Sequence, residues 1–137
     1  MLAVSWLLTS GCATQGQYVY DMNRSMSDIH VAVKNLYGVQ SKSDDDKIIY
    51  TPPLKRDPND TTPENKMRER VIARIVIMGD RRPYDILVQV YLERKVRGNW
   101  VEVGLDEDLS RDFSRELSRE LIESRENRNV IDDFRAF

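Results

Sequence analysis

The sequence predicts an α+β fold, a two-layer sandwich in which an antiparallel four-stranded sheet carries an N-terminal and a C-terminal helix on one face, in the order α-β-β-β-β-α. Two observations lead to this fold. Long central segments alternate apolar and polar residues, as half-buried strands do, and the segments that flank them repeat apolar residues at helical spacing. With 40% hydrophobic and 32% charged residues, the chain also has enough apolar material to fold as one domain.

The first helix is predicted from about Met26 to Tyr37. Ser25 and Asp28 have the spacing of a capping box, and Gly38 is a typical residue after the end of a helix. The apolar residues that recur along one side of this helix are Ile29, Val33 and Leu36. They predict that one helix face packs on the sheet.

A short edge strand is predicted from Lys47 to Thr51. The segment is rich in β-branched and aromatic residues, and Pro52 and Pro53 end it because proline cannot donate a ladder hydrogen bond. Residues 54–66 are polar and are predicted to form a long loop.

Two strands, Arg68–Met78 and Tyr84–Val96, are predicted to form a hairpin. Pairing them across the loop at residues 80–83 gives every residue a partner of like or complementary character. The predicted pairs are Ile77 with Ile86, Ile75 with Val88, Ala73 with Val90, and Arg70 with Glu93.

A further strand follows a turn predicted at Gly98-Asn99. This turn would place Val96 opposite Val101 and Lys95 opposite Glu102, and the strand would end near Gly104. It completes the four-stranded sheet.

The second helix is predicted to begin at Asp106, where acidic residues favour the positive end of the helix dipole. Its apolar residues recur every four positions, at Leu109, Phe113, Leu117 and Leu121. The near repeat Ser-Arg-Asp/Glu-Phe/Leu at residues 110–121 is interpreted as packing with exposed ion pairs. The domain is thus predicted to cover residues 25–126, and residues 127–137 form a tail with a short amphipathic turn.

The N-terminus carries an apolar run at residues 1–11 that is too short to span a bilayer, since a spanning helix needs about 20 residues. The run ends in Thr9-Ser10-Gly11-Cys12, which resembles the lipobox of bacterial lipoproteins, and Cys12 is the only cysteine. The resemblance implies that residues 1–11 are a signal peptide, which is removed by cleavage of the chain before Cys12. Cys12 is then acylated, and residues 12–24 tether the domain to the membrane.

The same resemblance implies a lipid-anchored protein of the bacterial cell envelope, and Ala13 after the cysteine favours the outer membrane, facing the periplasm. The alternative is that residues 2–8 form a buried terminal strand and that Cys12 is an ordinary buried thiol. In the body, a helix followed by a polar turn and the segment at residues 46–51 resembles the helix-grip modules of envelope lipoproteins such as BamC. That resemblance implies fold and location only.

Residues that could support catalysis are few. One histidine, His30, and one cysteine exclude a nitrogen- and sulfur-rich metal site, and the net charge of -2 gives no long-range attraction to nucleic acid or to an anionic membrane. The acidic run at residues 44–46 lacks the rest of a calcium loop, and the serines at 110, 114 and 118 have no base partner in the pattern. We therefore predict no enzyme, no metal and no cofactor.

The predicted register places apolar side chains on the second face of the sheet as well, although tolerated β-forming residues are an alternative explanation. Such a surface, rimmed by charge, is typical of a protein interface. The residues predicted to bind a partner are Ile72, Val76, Leu87, Tyr91 and Trp100. The leading interpretation is a noncatalytic adaptor or subunit of an envelope protein complex. The alternative is a carrier that holds a small apolar ligand or lipid between helix and sheet.

Overall fold

The structure, a computed structural model, describes residues 16–135, with side chains as far as residue 124. It shows an α+β fold with an antiparallel sheet and two helices. The elements in chain order are β1 (Gln17–Met22), α1 (Met26–Leu36), β2 (Ser41–Lys42), β3 (Ile48–Tyr50), a 3₁₀ turn (Glu64–Lys66), β4 (Glu69–Met78), β5 (Tyr84–Val96), β6 (Asn99–Leu105) and α2 (Glu107–Arg135).

The sheet has six strands, so the prediction of four was wrong. The spatial order is β1-β5-β4-β3-β2, and β6 also pairs with β5. The two missed strands are β1, which falls in the segment interpreted as a tether, and the short β2. Because β1 pairs with β5, far away in the chain, no local hairpin signal marks it.

The predicted register of the central hairpin is confirmed at every pair. Ile77 lies opposite Ile86, Ile75 opposite Val88, Ala73 opposite Val90, and Arg70 opposite Glu93. The predicted edge strand is also present as β3, which pairs with β4. Complementary side chains thus fixed this register correctly.

The predicted register of the β5–β6 hairpin was wrong. Lys95 lies opposite Trp100 and Val96 opposite Asn99, because the turn residues are Arg97 and Gly98 rather than Gly98 and Asn99. Both turn residues have positive φ, 51° and 82°, as a type I′ turn requires. As far as Glu102 the error moves each partner by two positions, so these side chains keep their predicted face, and a bulge at Val103 then shifts the register of the residues that follow.

The hydrophobic core lies between one sheet face and the two helices. Its fully buried side chains come from both helices and from alternate positions of the central strands, and the largest are Ile29, Val33, Ile49, Val71, Ile75, Ile77, Ile86, Val88, Val90, Leu117 and Leu121. Both helices therefore cover the same face, which we call the helix face. Burial of these side chains is the main force that holds the layers together.

The first helix begins as predicted, with the Ser25 hydroxyl accepting a hydrogen bond from the Asp28 amide. The second begins after Asp106, whose carboxylate accepts from the Leu109 amide. It continues to Arg135, through most of the segment that the sequence predicted as a separate tail. The predicted signal peptide and Cys12 lie outside the described residues.

Tyr37, which follows the last residue of α1, forms a contact between the two helices. Its ring stacks on Phe113 of α2, with the ring centroids 4.4 Å apart. Its hydroxyl donates to the Glu116 carboxylate at 2.6 Å. Burial, and then this carboxylate, raise the pKa of Tyr37 well above its ordinary value, so the phenol stays protonated.

Candidate functional site

The sheet face opposite the helices, which we call the outer face, contains all five residues predicted to bind a partner. On β4 and β5 it consists of the residues that alternate with the core positions. Ile72 lies opposite Tyr91, and Val76 lies opposite Leu87, as the sequence predicted. Trp100 of β6 lies opposite Lys95 of β5. Because Lys95 is an outer-face position of β5, Trp100 shares this face.

An apolar row crosses the outer face over four strands. Val76 and Leu87 form its centre, Ile48 on β3 lies beside Val76, and Tyr18 on β1 lies beside Leu87. Leu87 is only 8% exposed although no core residue lies on its side of the sheet. Tyr18 and Val76 lie on its two sides in the row, and Gly16 also approaches it, so the row is one continuous apolar surface.

A second apolar row consists of Ile72, Tyr91 and Leu105, which pairs with Tyr91 at the end of β6. Beside it the outer face has a shallow depression of about 460 Å³, lined by Tyr50, Ile72, Arg74, Tyr91, Glu93 and Glu102. The depression is large enough to receive one or two side chains of a partner.

Polar side chains separate the apolar rows. Between the two rows, Arg74 contacts the Gln89 side chain at 3.4 Å and forms no ion pair with the residues that the structure describes. Next to Tyr91, Arg70 and Glu93 form a half-buried ion pair at 2.7 Å. Polar bands thus separate the apolar rows, and among the described residues Arg74 has no anionic partner in the band where it lies.

Trp100 lies beyond the Arg70–Glu93 pair and does not join the apolar rows. The Arg70 guanidinium lies 4.2 Å from the centre of its ring, a cation–π contact. Trp100 lines a separate cleft of about 310 Å³ with Pro53, Leu54, Lys55, Glu64, Met67, Arg70 and Lys95. The structure therefore brings together four of the five predicted residues and places the fifth at the margin.

The sequence prediction missed several members of the outer face. Tyr18 was missed because β1 was interpreted as a tether, although Tyr18, Val19 and Tyr20 alternate as a strand does. Ile48 and Tyr50 were assigned to a strand but not to a face, because the pairing of β3 with β4 was not predicted. A register for β3 would have placed both residues on the outer face.

The residues considered for catalysis have structural contacts. The His30 ring nitrogen Nε2 lies 2.6 Å from the Asp46 carbonyl oxygen. The Asp45 carboxylate accepts from the Ser43 hydroxyl and from the Lys47 amide in the turn between β2 and β3, and these hydrogen bonds hold its pKa below the usual range. The Ser110 hydroxyl binds the backbone of β5. These contacts lie within a turn, between α1 and that turn, and between α2 and the sheet.

The space between helices and sheet is filled by side chains such as Val33, Val88 and Leu117, which have no exposed surface. An open groove of about 560 Å³ runs instead along the outside, between β1 and α2. Within residues 16–135, no helix combines the length and the apolar character that crossing a membrane requires.

Comparison with protein-family models, curated proteins and solved structures finds no match to this chain.

Proposed function

We propose that the protein is a lipid-anchored subunit of a bacterial envelope complex, attached through Cys12, that binds a partner protein with the outer face of its sheet. It acts by binding alone. The site comprises Ile72, Val76, Leu87 and Tyr91, with Trp100 at its margin. Tyr18, Ile48, Tyr50 and Arg74 extend the surface that the sequence predicted.

The observation that carries this proposal is the apolar row from Ile48 through Val76 and Leu87 to Tyr18 on the face that the helices leave open. A folded chain gains little from apolar residues at solvated sheet positions, since a polar β-former such as threonine holds a strand as well. A continuous apolar surface with charged margins is the usual composition of a protein interface.

The charges on the outer face indicate what the partner presents. Arg74 has no ion pair with a described residue and borders the depression at Ile72 and Tyr91. A partner that inserts an apolar side chain there and directs a carboxylate at Arg74 would match both features. Glu102 also lines the depression and has no ion pair with a described residue, so the surface fits an apolar segment with an acidic residue towards Arg74 and a basic residue towards Glu102.

The binding proposal is tested by cross-linking and pull-down from envelope membranes of the native host. We expect the Tyr91→Glu, Trp100→Glu variant to lose the partners that the wild type retains. The gentler Ile72→Thr, Tyr91→Thr variant keeps the β propensity of both positions and should weaken the same partners. Val31→Glu, on the exposed side of α1, is the matched control and should retain them. A folded Tyr91→Glu, Trp100→Glu variant that keeps every partner would exclude this surface.

The anchoring proposal is tested separately by intact mass spectrometry of the protein from its native host. We expect a chain that begins at Cys12 and carries acyl groups, and we expect the Cys12→Ala variant to lack them. A chain that begins at Met1 with a free thiol would contradict anchoring. It would leave the outer face as a binding surface of an unanchored protein.

The carrier alternative has less support, because fully buried side chains occupy the space between α2 and the sheet where a ligand would lie. A carrier needs an internal cavity of several hundred Å³. The groove between β1 and α2 is open along its length and does not enclose a ligand.

A further inference from the structure

The cleft of about 310 Å³ beside Trp100, which we call the Trp100 cleft, lies where the loop between β3 and β4 meets the β5–β6 hairpin. Backbone hydrogen bonds hold both walls in place. Leu54 exchanges two hydrogen bonds with Val71 of β4, at 2.8 and 2.9 Å, and the Lys95 amide donates to the Arg68 carbonyl oxygen at 2.9 Å. The cleft is therefore formed by the fold itself, and its volume is at the lower end of the range for small-ligand sites.

Apolar side chains from both walls line the Trp100 cleft. The loop contributes Leu54, which packs against the edge of the hydrophobic core, and Met67, which is buried. The hairpin contributes the half-buried ring of Trp100, and the Arg70 guanidinium lies 4.2 Å from the centre of this ring. The cleft thus offers an aromatic ring and a thioether to an apolar group of a ligand.

Cations outnumber anions among the residues that line the Trp100 cleft. Lys55, Lys95 and Arg70 are the cations, and Glu64 is the anion. The ion pair with Glu93 already compensates the charge of Arg70. Neither lysine forms an ion pair with a residue of the described part of the chain. Two uncompensated ammonium groups therefore remain at the cleft.

The contacts of the two lysines leave both charges available to a ligand. The Lys55 ammonium donates to the Asp60 backbone carbonyl oxygen at 2.8 Å, which is a neutral acceptor. The Lys95 ammonium lies 5.9 Å from the centre of the Trp100 ring. An anion within the cleft would accept charge-assisted hydrogen bonds from these donors.

We propose that the Trp100 cleft binds a small monocarboxylate that carries a short apolar group. The apolar group lies against Trp100 and Met67, and the carboxylate accepts from Lys55 and Lys95. A neutral apolar ligand would leave the two lysines without an anion, and a second carboxylate would be repelled by Glu64. This site goes beyond the proposed function, because it depends neither on the lipid anchor nor on a partner at the outer face.

The test uses the full chain with Trp6→Phe, which leaves Trp100 as the single tryptophan and as a fluorescent reporter inside the cleft. The probe is hexanoate, and the matched probes at equal ionic strength are hexanamide, which lacks the charge, and acetate, which lacks the apolar chain. We expect a saturable change in Trp100 fluorescence, with hexanoate binding at least about tenfold more tightly than either matched probe. No saturable change, or equal binding of hexanoate and hexanamide, would overturn the proposal.

Variants of the two lysines test whether their charges hold the carboxylate. Lys55→Gln, Lys95→Gln should weaken hexanoate about tenfold and leave hexanamide unchanged. The matched control is Lys42→Gln, at an exposed lysine of β2 that does not line the cleft, and it should bind hexanoate as the parent does. An equal loss in the control, or no loss in the double variant, would contradict the assignment.

A peptide probe distinguishes the two sources of such a carboxylate. Acetyl-Ala-Ala-Leu with a free C-terminus is compared with the same peptide as its C-terminal amide. If the free peptide binds at least as tightly as hexanoate and the amide does not, the cleft accepts the C-terminus of a protein chain. If hexanoate alone binds, the ligand is a free small acid.

Discussion

The first half of strand β5 is covered by the helices, and its second half is not. The comparison shows that the side-chain pattern determines the face on which a residue lies, and that tertiary packing determines whether the residue is buried. In the first half of β5, the helix-face residues Ile86, Val88 and Val90 have no exposed surface. In its second half Val96 occupies the same face and is 50% exposed, because the helix-face valines there have no helix against them. Alternation of apolar residues thus sets the face of each side chain, and the extent of the helices decides which of them are buried.

The partner strand of β5 also changes between the two halves. Strand β1 pairs with its first half and β6 with its second half, and neither strand pairs at Val90. There the Val90 amide donates to the Ser110 hydroxyl, and the Val90 carbonyl oxygen accepts from the Asp106 amide. The first turn of α2 therefore completes the hydrogen bonds of β5 at the junction.

The largest effect should come from shortening an apolar side chain in the covered half. Ile86→Ala removes buried methylene groups and leaves a cavity, so we expect a loss of about 2–5 kcal/mol in the free energy of unfolding. Val96→Ala on the same strand should cost less than about 0.5 kcal/mol. Urea denaturation of both variants measures the difference. Equal losses would show that the hairpin is covered in solution.

This contrast also explains which parts of the fold the sequence could predict. The β4–β5 register was predictable because Ile75, Ile77 and their partners match over the whole length of two adjacent strands. The pairing of β1 was not predictable, because its partner among the described residues is β5 and the intervening chain contains a helix and three strands. The turn at Arg97-Gly98 was missed because Gly98 can take either position of a two-residue turn.

A smaller effect is expected at the junction itself. Ser110→Ala removes the acceptor of the Val90 amide and leaves a buried donor without a partner, which should cost about 1–3 kcal/mol. Hydrogen exchange should quicken at the Val90 amide specifically, since the ladder on either side of it remains. The control is Ser118→Ala on the same helix, where the serine is half-buried. A Val90 amide that remains protected in Ser110→Ala would contradict this assignment.

The sequence could predict the candidate site only on β4 and β5, the two strands whose register it predicted correctly. The pairs Ile72–Tyr91 and Val76–Leu87 follow from the β4–β5 register, so the sequence placed them together correctly. The Arg70–Glu93 ion pair also follows from that register, whereas the place of Trp100 beyond this pair was not predictable, because it depends on the β5–β6 register that the sequence missed. Tyr18 and Ile48 enter the surface through β1 and β3, whose pairings the sequence did not reveal.

The smallest effect should be a pH dependence at the base of the hairpin, where Glu69 contacts Arg94 at 3.1 Å and Arg56 at 3.2 Å. Hydrogen bonds from Arg94 and then Arg56 lower the pKa of Glu69 below its ordinary value of 4.5. Because the folded pKa is the lower one, this contribution to stability is complete above the unfolded pKa. It is lost as the pH falls through the folded pKa.

We therefore expect Glu69→Gln to destabilise the protein at pH 7 by less than about 1 kcal/mol, since these partly exposed ion pairs are screened by solvent. The difference from the wild type should shrink as the pH falls below the ordinary value of 4.5, when Glu69 itself becomes neutral. Urea denaturation of both proteins at pH 7 and at acid pH measures it. If the difference were the same at both pH values, Glu69 would contribute through packing and not through its charge. The base of the hairpin would then be stabilised by side-chain packing, as the covered half of β5 is.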